Sequence, residues 1–232
     1  GLVVKWLRSN ALLVCVAWLF ALRLALAVGT EIYPDEAYYW VWAQRLALGY
    51  FDHPALIAWS IAVLGIRTGA LLWGGLALVG VHRLTVELEG SSRAAWWATA
   101  LFASSPAASL LGTISTPDAP LLAFWVCTLV ALVRKQPLLT GVLWGLAMLS
   151  KYNGIILGLP VVMVFFRRPL HLAAATLLAL VITSPTLIWN AAHHWEGFQF
   201  QLGHGLGGGG GVSTFLEFLG GSWAWGGRSW FC

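Results

Sequence analysis

Tyr33-Pro-Asp-Glu-Ala-Tyr-Tyr-Trp40, followed by Tyr50-Phe-Asp-His-Pro54, is the polar interruption from which the rest of the chain is read. Asp35 and Glu36 come directly after the first long apolar run, and Asp52 follows in the same loop. Charge beside a bilayer is costly and concentrates where it is used. Outside such loops the 232 residues are oily: 59% are hydrophobic, 9% are charged, and 15 are Trp. A soluble domain carries about 25% charged residues. These proportions leave no surface for a soluble domain and read as an all-α, multi-pass transmembrane helical bundle. The net charge of +4 is spread through short loops, which argues for membrane topology and against a nucleic-acid partner. Cys15 and Cys127 fall inside apolar runs, so no disulfide or cysteine metal framework is expected.

Taken in order, Lys5 and Arg8 precede an apolar run from Ala11 to Val28. No small-x-small cleavage site stands before Glu31, so this run reads as an uncleaved first helix rather than a signal peptide. Arg23 within it either snorkels to an interface or faces the protein interior. Residues 35–48 are too polar to span. Tyr38, Trp42 and Leu46 at helical spacing after Pro34 predict a short interfacial helix, ended by Gly49. Residues 54–65 read as a second interfacial or re-entrant piece. Further passes are expected over 67–81, 94–112, 121–133, 138–149, 155–166 and 170–189, about seven spans in one transmembrane core over 1–206. The Gly-rich stretch 207–232 has no periodic pattern and reads as a truncated or aberrant tail.

The alternation permits a charge test. Lys5, Arg8, Arg83, Arg93, Arg134, Lys135, Arg167 and Arg168, eight of thirteen basic residues, fall in one set of polar segments. Glu31, Asp35, Glu36, Asp52, Asp118 and Glu196, six of nine acids, fall in the alternate set. The excess of Lys and Arg on the cytoplasmic side predicts a cytoplasmic N-terminus and places the acidic loops outside the cytoplasm. Any chemistry is expected on that outer face.

Four groups there can carry it. Asp35-Glu36 suits general-base work at an interface, and equally Asp35 suits a helix cap. Asp52-His53 can meet a divalent metal ion or a phosphate, although Asp-His-Pro is more often an ordinary turn. Asp118 in Thr-Pro-Asp starts a helix unless it faces Asp35. Lys151 with Tyr152 and Asn190 suits a lipid phosphate, against the plainer reading of a snorkelling lysine. His193 and His194 are adjacent and point apart on a helix, so at most one joins a shared site. Asp52 and His193 are the candidate ligands for a divalent metal ion, and the sequence fixes no cofactor.

Five stretches carry a resemblance: Asp-Glu-Ala-Tyr-Tyr-Trp (35–40), Leu-Gly-Tyr-Phe-Asp-His-Pro (48–54), Thr-Pro-Asp-Ala-Pro (116–120), Leu-Ser-Lys-Tyr (149–152) and Ser-Pro-Thr-Leu-Ile-Trp-Asn (184–190). In this order they resemble the bacterial membrane glycosyltransferases of the protein O-mannosyltransferase type, family 39-like members of the GT-C superfamily related to the lipid A aminoarabinose transferases. The resemblance implies a hexosyl- or pentosyltransferase of the bacterial inner membrane that takes its sugar from a polyprenyl-phosphate donor. The acceptor hydroxyl would be on a lipid, a glycan or a protein, and the displacement would invert the anomeric carbon. It implies Asp35 as base with Glu36 as companion acid and Asp118 as the acid of the second outer loop. Asp52 then organises acceptor or metal, and His53 and Lys151 face the donor phosphate. Ala55 stands where relatives have a second proline, and relatives continue through further helices, so the chain is expected to be a C-terminally truncated copy. A transporter or lipid flippase and an inactive fragment or scaffold subunit are the rival readings.

Overall fold

A computed structural model describes residues 10–206 of the chain. The expectations for Lys5, Arg8 and the tail 207–232 fall outside the described residues. The elements are α1 (Ala11–Gly29), α2 (Pro34–Ala43), α3 (Leu56–Leu64), α4 (Ile66–Glu89), α5 (Ser92–Ser104), α6 (Pro106–Leu111), α7 (Asp118–Val133) and α8 (Pro137–Ser150). A 3₁₀ segment (Tyr152–Leu157) then leads into α9 (Gly158–Phe165), α10 (Pro169–Ala192) and α11 (Glu196–Leu206). Among the described residues the only β pairing is an isolated bridge between Gly49 and Pro54. The chain is an all-α helical bundle, as its composition requires.

Among the described residues, two helices, Ile66–Glu89 and Pro169–Ala192, are long and apolar enough to cross a membrane. Leu13–Gly29 and Pro34–Ala43 pass that test together but are bent by 78° at their junction. Asp118–Val133, Pro137–Ser150 and Tyr152–Phe165 are shorter apolar helices. The seven passes expected from hydropathy therefore resolve into two full-length helices, one bent pair and a set of shorter ones. Helices α4, α7, α8 and α10 make the densest packing, with Phe124, Leu132, Trp144, Leu157, Val161 and Phe165 buried in its centre.

Several boundaries depart from the pattern for local reasons. Helix α2 stops at Ala43 rather than Leu48, because the Tyr50 hydroxyl folds back to the Trp42 and Arg45 carbonyls, 3.1 Å from each. The Tyr50 ring stacks on Trp42 at 4.3 Å. Helix α4 runs through the polar stretch expected to be a connection and ends at Gly90, whose φ of 65° gives it a left-handed cap. The expected pass over 94–112 breaks at Ser105-Pro106, where the Ser105 hydroxyl accepts from Ala108 N at 3.2 Å. In α10, Pro185 cannot donate to the Val181 carbonyl, and the Ser184 hydroxyl donates to it instead at 2.7 Å.

Arg23 faces the interior. It is 3% exposed, and its Nη2 donates to the Ala103 carbonyl at 2.7 Å, beside the α5–α6 break. A carbonyl near a helix break lacks its usual partner, and a buried guanidinium is a fitting donor to it.

Close helix approach relies on glycine. A Cβ at Gly141 of α8 would sit 2.5 Å from the Ala175 carbonyl of α10, whereas one at Gly75 would meet only the Phe20 ring edge at 3.6 Å. Gly141→Ala is therefore expected to lower thermal stability in detergent by about 1–3 kcal/mol, the usual cost of overpacking. Gly75→Ala is expected to be neutral or stabilising, since a mid-helix Gly costs up to about 1 kcal/mol relative to Ala. Thermal unfolding of the two purified variants against the parent chain measures the contrast.

Candidate active site at the acidic end of the bundle

Three segments that are distant in sequence meet at one end of the bundle, and Glu36 is what they meet on. Its side chain is fully buried. Pro34 opens α2, and Glu36 at the third helical position reaches back to Tyr33 N at 3.0 Å, half of a capping box. The same Oε2 meets Arg67 Nη2 at 3.0 Å. Its Oε1 accepts from Ser115 N at 2.9 Å. Arg67 also donates to the Glu31 carbonyl at 2.6 Å and the Thr113 carbonyl at 3.1 Å, and the Ser115 hydroxyl donates to Ile66 O. Both Glu36 oxygens are committed inside the protein, so the sequence-predicted companion acid is a structural tie here.

That tie places the remaining acids. Asp35, one residue earlier in α2, is exposed and makes no hydrogen bond or ion pair among the described residues. Asp118 opens α7 just beyond the Ser115 loop, and Lys151 Nζ, at the end of α8, donates to both its oxygens at 2.8 and 2.9 Å. Both partners stay partly exposed, at 39% for the Asp118 side chain and 23% for Lys151. Asp52 sits in the tight turn closed by Tyr50 N donating to the His53 carbonyl at 3.1 Å, and its carboxylate accepts from the Tyr38 hydroxyl at 2.9 Å.

The electrostatics record the convergence. Burial first, then the charges of Asp35, Asp118 and Asp52, push the Tyr39 phenol above its ordinary ionisation range. Burial and then Asp52 push Tyr38 up to about 12. Burial first, then Lys151, hold His53 below 6.5, while Asp52 and Asp118 pull it back up. Asp35, Asp52, Asp118, His53 and Lys151 thus share one neighbourhood around Tyr39. His53 Nδ1 and Thr116 Oγ1 are buried there without a hydrogen-bond partner.

Tyr152 and Asn190 lie beneath it rather than in it. Asn190 is fully buried: its amide donates to the Tyr152 hydroxyl at 3.1 Å and to Thr186 O at 3.0 Å, and its Oδ1 accepts from Phe198 N at 3.2 Å. That side chain has no capacity left for a phosphate. It anchors α11, an element absent from the sequence reading. His194 and Trp195, with φ of 53° and 63°, make the sharp reversal into α11. Gly197 then packs so closely that a Cβ would lie 2.6 Å from the Tyr152 hydroxyl. Gln201 Nε2 donates to the Asp52 carbonyl at 2.7 Å, and Phe200 packs on Phe51 with centroids 4.8 Å apart.

The metal expectation rested on Asp52 and His193. Among the described residues no three His, Cys, Asp or Glu side chains converge as ligands. His193 is stacked on Trp189 at 4.1 Å with its Nδ1 2.8 Å from the Trp189 carbonyl, and Asp52 is engaged by Tyr38. A divalent ion needs several converging donors, which this pair does not supply.

Sequence reasoning passed over Tyr38, Tyr39, Arg67, Ser115, Thr116 and Gln201 as site residues. For the two tyrosines the signal was present, since they stand inside the Asp-Glu-Ala-Tyr-Tyr-Trp stretch but were read only as the apolar face of α2.

The chain is 27% identical over 242 aligned positions to the lipid A galacturonosyltransferase RgtD of Rhizobium johnstonii, an alignment covering 86% of this chain and 49% of that protein. The chain thus spans about half the length of the curated relative it matches. No solved structure gives a significant match. The profile described as dolichyl-phosphate-mannose-protein mannosyltransferase matches residues 52–189, from the Asp52 turn to the end of the helix that carries Asn190. Covering more than half of the chain, that match establishes the protein as a member of the dolichyl-phosphate-mannose-protein mannosyltransferase family.

Proposed function

We propose that the acidic end of the bundle transfers a sugar from a polyprenyl-phosphate-linked donor to an acceptor hydroxyl, with inversion at the anomeric carbon. The observation that carries this reading is the gathering of Asp35, Asp52, Asp118, His53 and Lys151 around Tyr39, at one end of an otherwise apolar bundle. Such an arrangement suits a substrate that is lipid at one end and polar at the other. Family membership supports a lipid-linked sugar donor, and the name of the Rhizobium johnstonii relative supports a lipid A-like acceptor.

The roles follow from which groups are free. Glu36 is spent on Arg67, Tyr33 and Ser115, and Asp118 is held by Lys151. Within the group of acids around Tyr39, Asp35 is exposed and its carboxylate has no hydrogen-bond partner among the described residues, and we assign it as the base. It takes the acceptor proton as the acceptor oxygen bonds to the anomeric carbon. The bond from that carbon to the phosphate oxygen breaks, and its electron pair leaves with the polyprenyl phosphate. Lys151 balances the growing phosphate charge while Asp118 fixes its position. His53 sits beside Tyr39 and within the field of Lys151, next to where the donor head would lie. Tyr38 orients Asp52 beside the acceptor. The charge alternation along the sequence supports an extracytoplasmic position for this face with the N-terminus inside, and the resemblance to bacterial membrane glycosyltransferases supports the inner membrane.

Asp35→Asn in the full chain, reconstituted in lipid, is expected to lower kcat for transfer from a polyprenyl-phosphate sugar by about 10²–10⁴, the contribution of a general base. Its thermal unfolding should match the parent. Glu36→Gln is expected to behave the other way, costing about 3–5 kcal/mol of stability because Arg67 loses its buried partner. Unchanged transfer by Asp35→Asn would overturn the base assignment.

His53 gives a second test. Its folded pKa lies below 6.5, so just below that pH the folded chain binds fewer protons than the unfolded one. Through this residue, stability is full above 6.5 and falls as pH falls. Lys151→Met removes a charge that lowers the His53 pKa and leaves Asp118 unpaired, and both changes raise it. An imidazole NMR titration of the variant should move towards or past 6.5. A pKa that stays put would separate Lys151 from the His53 neighbourhood.

A further inference from the structure

A second cavity lies far from the acidic cluster, and the proposed transfer does not use it. It is a groove of about 540 Å³ between α1, α4 and α5. Leu13 and Phe20 of α1 and Leu78 of α4 form its apolar walls, and Trp96 of α5 closes one side. Its volume lies within the range of about 300–1,000 Å³ typical of ligand sites. Polar groups occur at its α4 end. His82 presses edge-on against Trp96, with centroids 4.7 Å apart, and its Nε2 is buried with no hydrogen-bond partner. Arg83 beside it lines the groove, is exposed, and makes no ion pair among the described residues. The carboxylate one turn further along α4, Glu87, is taken by Arg134 at 2.8 Å and so does not neutralise Arg83.

What calls for a ligand here is Arg83, a cation with no ion pair among the described residues, at the mouth of an apolar slot beside His82. Their depth indicates which ligand. Arg83 lies sixteen residues along α4 from Arg67, about 24 Å at the rise of an α-helix. A bilayer's hydrocarbon core is about 30 Å thick. With Arg67 at one interface, Arg83 and His82 fall at the headgroup level of the other, and the apolar walls run along the acyl region.

We propose that this groove holds an acyl chain of an anionic membrane phospholipid, with Arg83 meeting its phosphate and the His82 ring beside it. The lipid bridges α1 to α4 and α5 at the end opposite the acidic cluster, and its binding does not depend on what reaction that cluster performs.

The test is photolabelling of the full chain in lipid nanodiscs. The probes are phosphatidylglycerol and phosphatidylcholine carrying the same diazirine-bearing acyl chain, with adducts mapped by mass spectrometry. Phosphatidylglycerol is expected to label Leu13 to Phe20 and Gly75 to Val79 about fivefold more than phosphatidylcholine. This is the factor carried by roughly 1 kcal/mol of attraction per basic residue at 1.4 kcal/mol per tenfold. Arg83→Gln should reduce the phosphatidylglycerol signal to the phosphatidylcholine level, and raised salt should do the same in the parent chain. Val79→Trp, which fills the groove, should abolish both signals there while leaving labelling elsewhere unchanged. Equal labelling by the two lipids, adducts outside the groove, or an Arg83→Gln signal equal to the parent's would each overturn the proposal.

Discussion

A buried carboxylate holds this end of the molecule together. Glu36 is removed from solvent, and removing a charge from water is expensive unless several donors replace the water. Tyr33 N, Ser115 N and Arg67 supply them, and each comes from a different part of the chain. Arg67 multiplies the effect by also holding the Glu31 and Thr113 carbonyls. One ion pair thereby fixes how α2 leaves α1, where α4 begins, and where the loop before Asp118 runs. Without it the acids at this end would sit on three independent loops.

The second tie, Asp118 with Lys151, depends on the first. Asp118 follows the Ser115 loop by three residues, and Lys151 closes α8, which packs on α7. The pair therefore brings the cation of one outer loop to the acid of another. Pairing Asp118 in this way leaves Asp35 as the cluster carboxylate without a hydrogen bond among the described residues, so acids that look equivalent in sequence end in different surroundings. A third layer, α11, lies over Tyr152 and the Asp52 turn through Phe198, Phe200 and Gln201.

The far end of the bundle is built on different terms. Arg134 and Glu87 neutralise each other there, whereas Arg83 and His82 remain uncommitted beside an apolar groove. A soluble protein would satisfy such groups with water. In a bilayer the available partner at that depth is a lipid head, and the same scarcity of water explains why Ser184 and Arg23 must serve broken backbone carbonyls.

Much of this was legible before any coordinates. The class follows from composition, because a chain with so few charges cannot remain folded with its surface in water. The alternation of polar loops located Asp35, Asp52, Asp118 and Lys151 on one side, since hydropathy and charge are local properties that each segment carries by itself. What a segment's own pattern does not contain is which partner it meets. Glu36 and Asp35 are neighbours of the same chemistry, and only the approach of Arg67 and Ser115 makes one a strut and leaves the other free. Asn190 likewise reads as a phosphate-binding candidate beside Lys151 and Tyr152, until Tyr152 and α11 bury it. Helix ends were misplaced where a distant side chain supplied a hydrogen bond, as Tyr50 does for α2. The sequence by itself determined an oily helical bundle with its acids at one end, because burial preference and helical period are written residue by residue. The tertiary structure alone decided which of those acids is tied into the fold and which is left without a partner among the described residues, because that depends on long-range hydrogen bonds formed only when the loops meet.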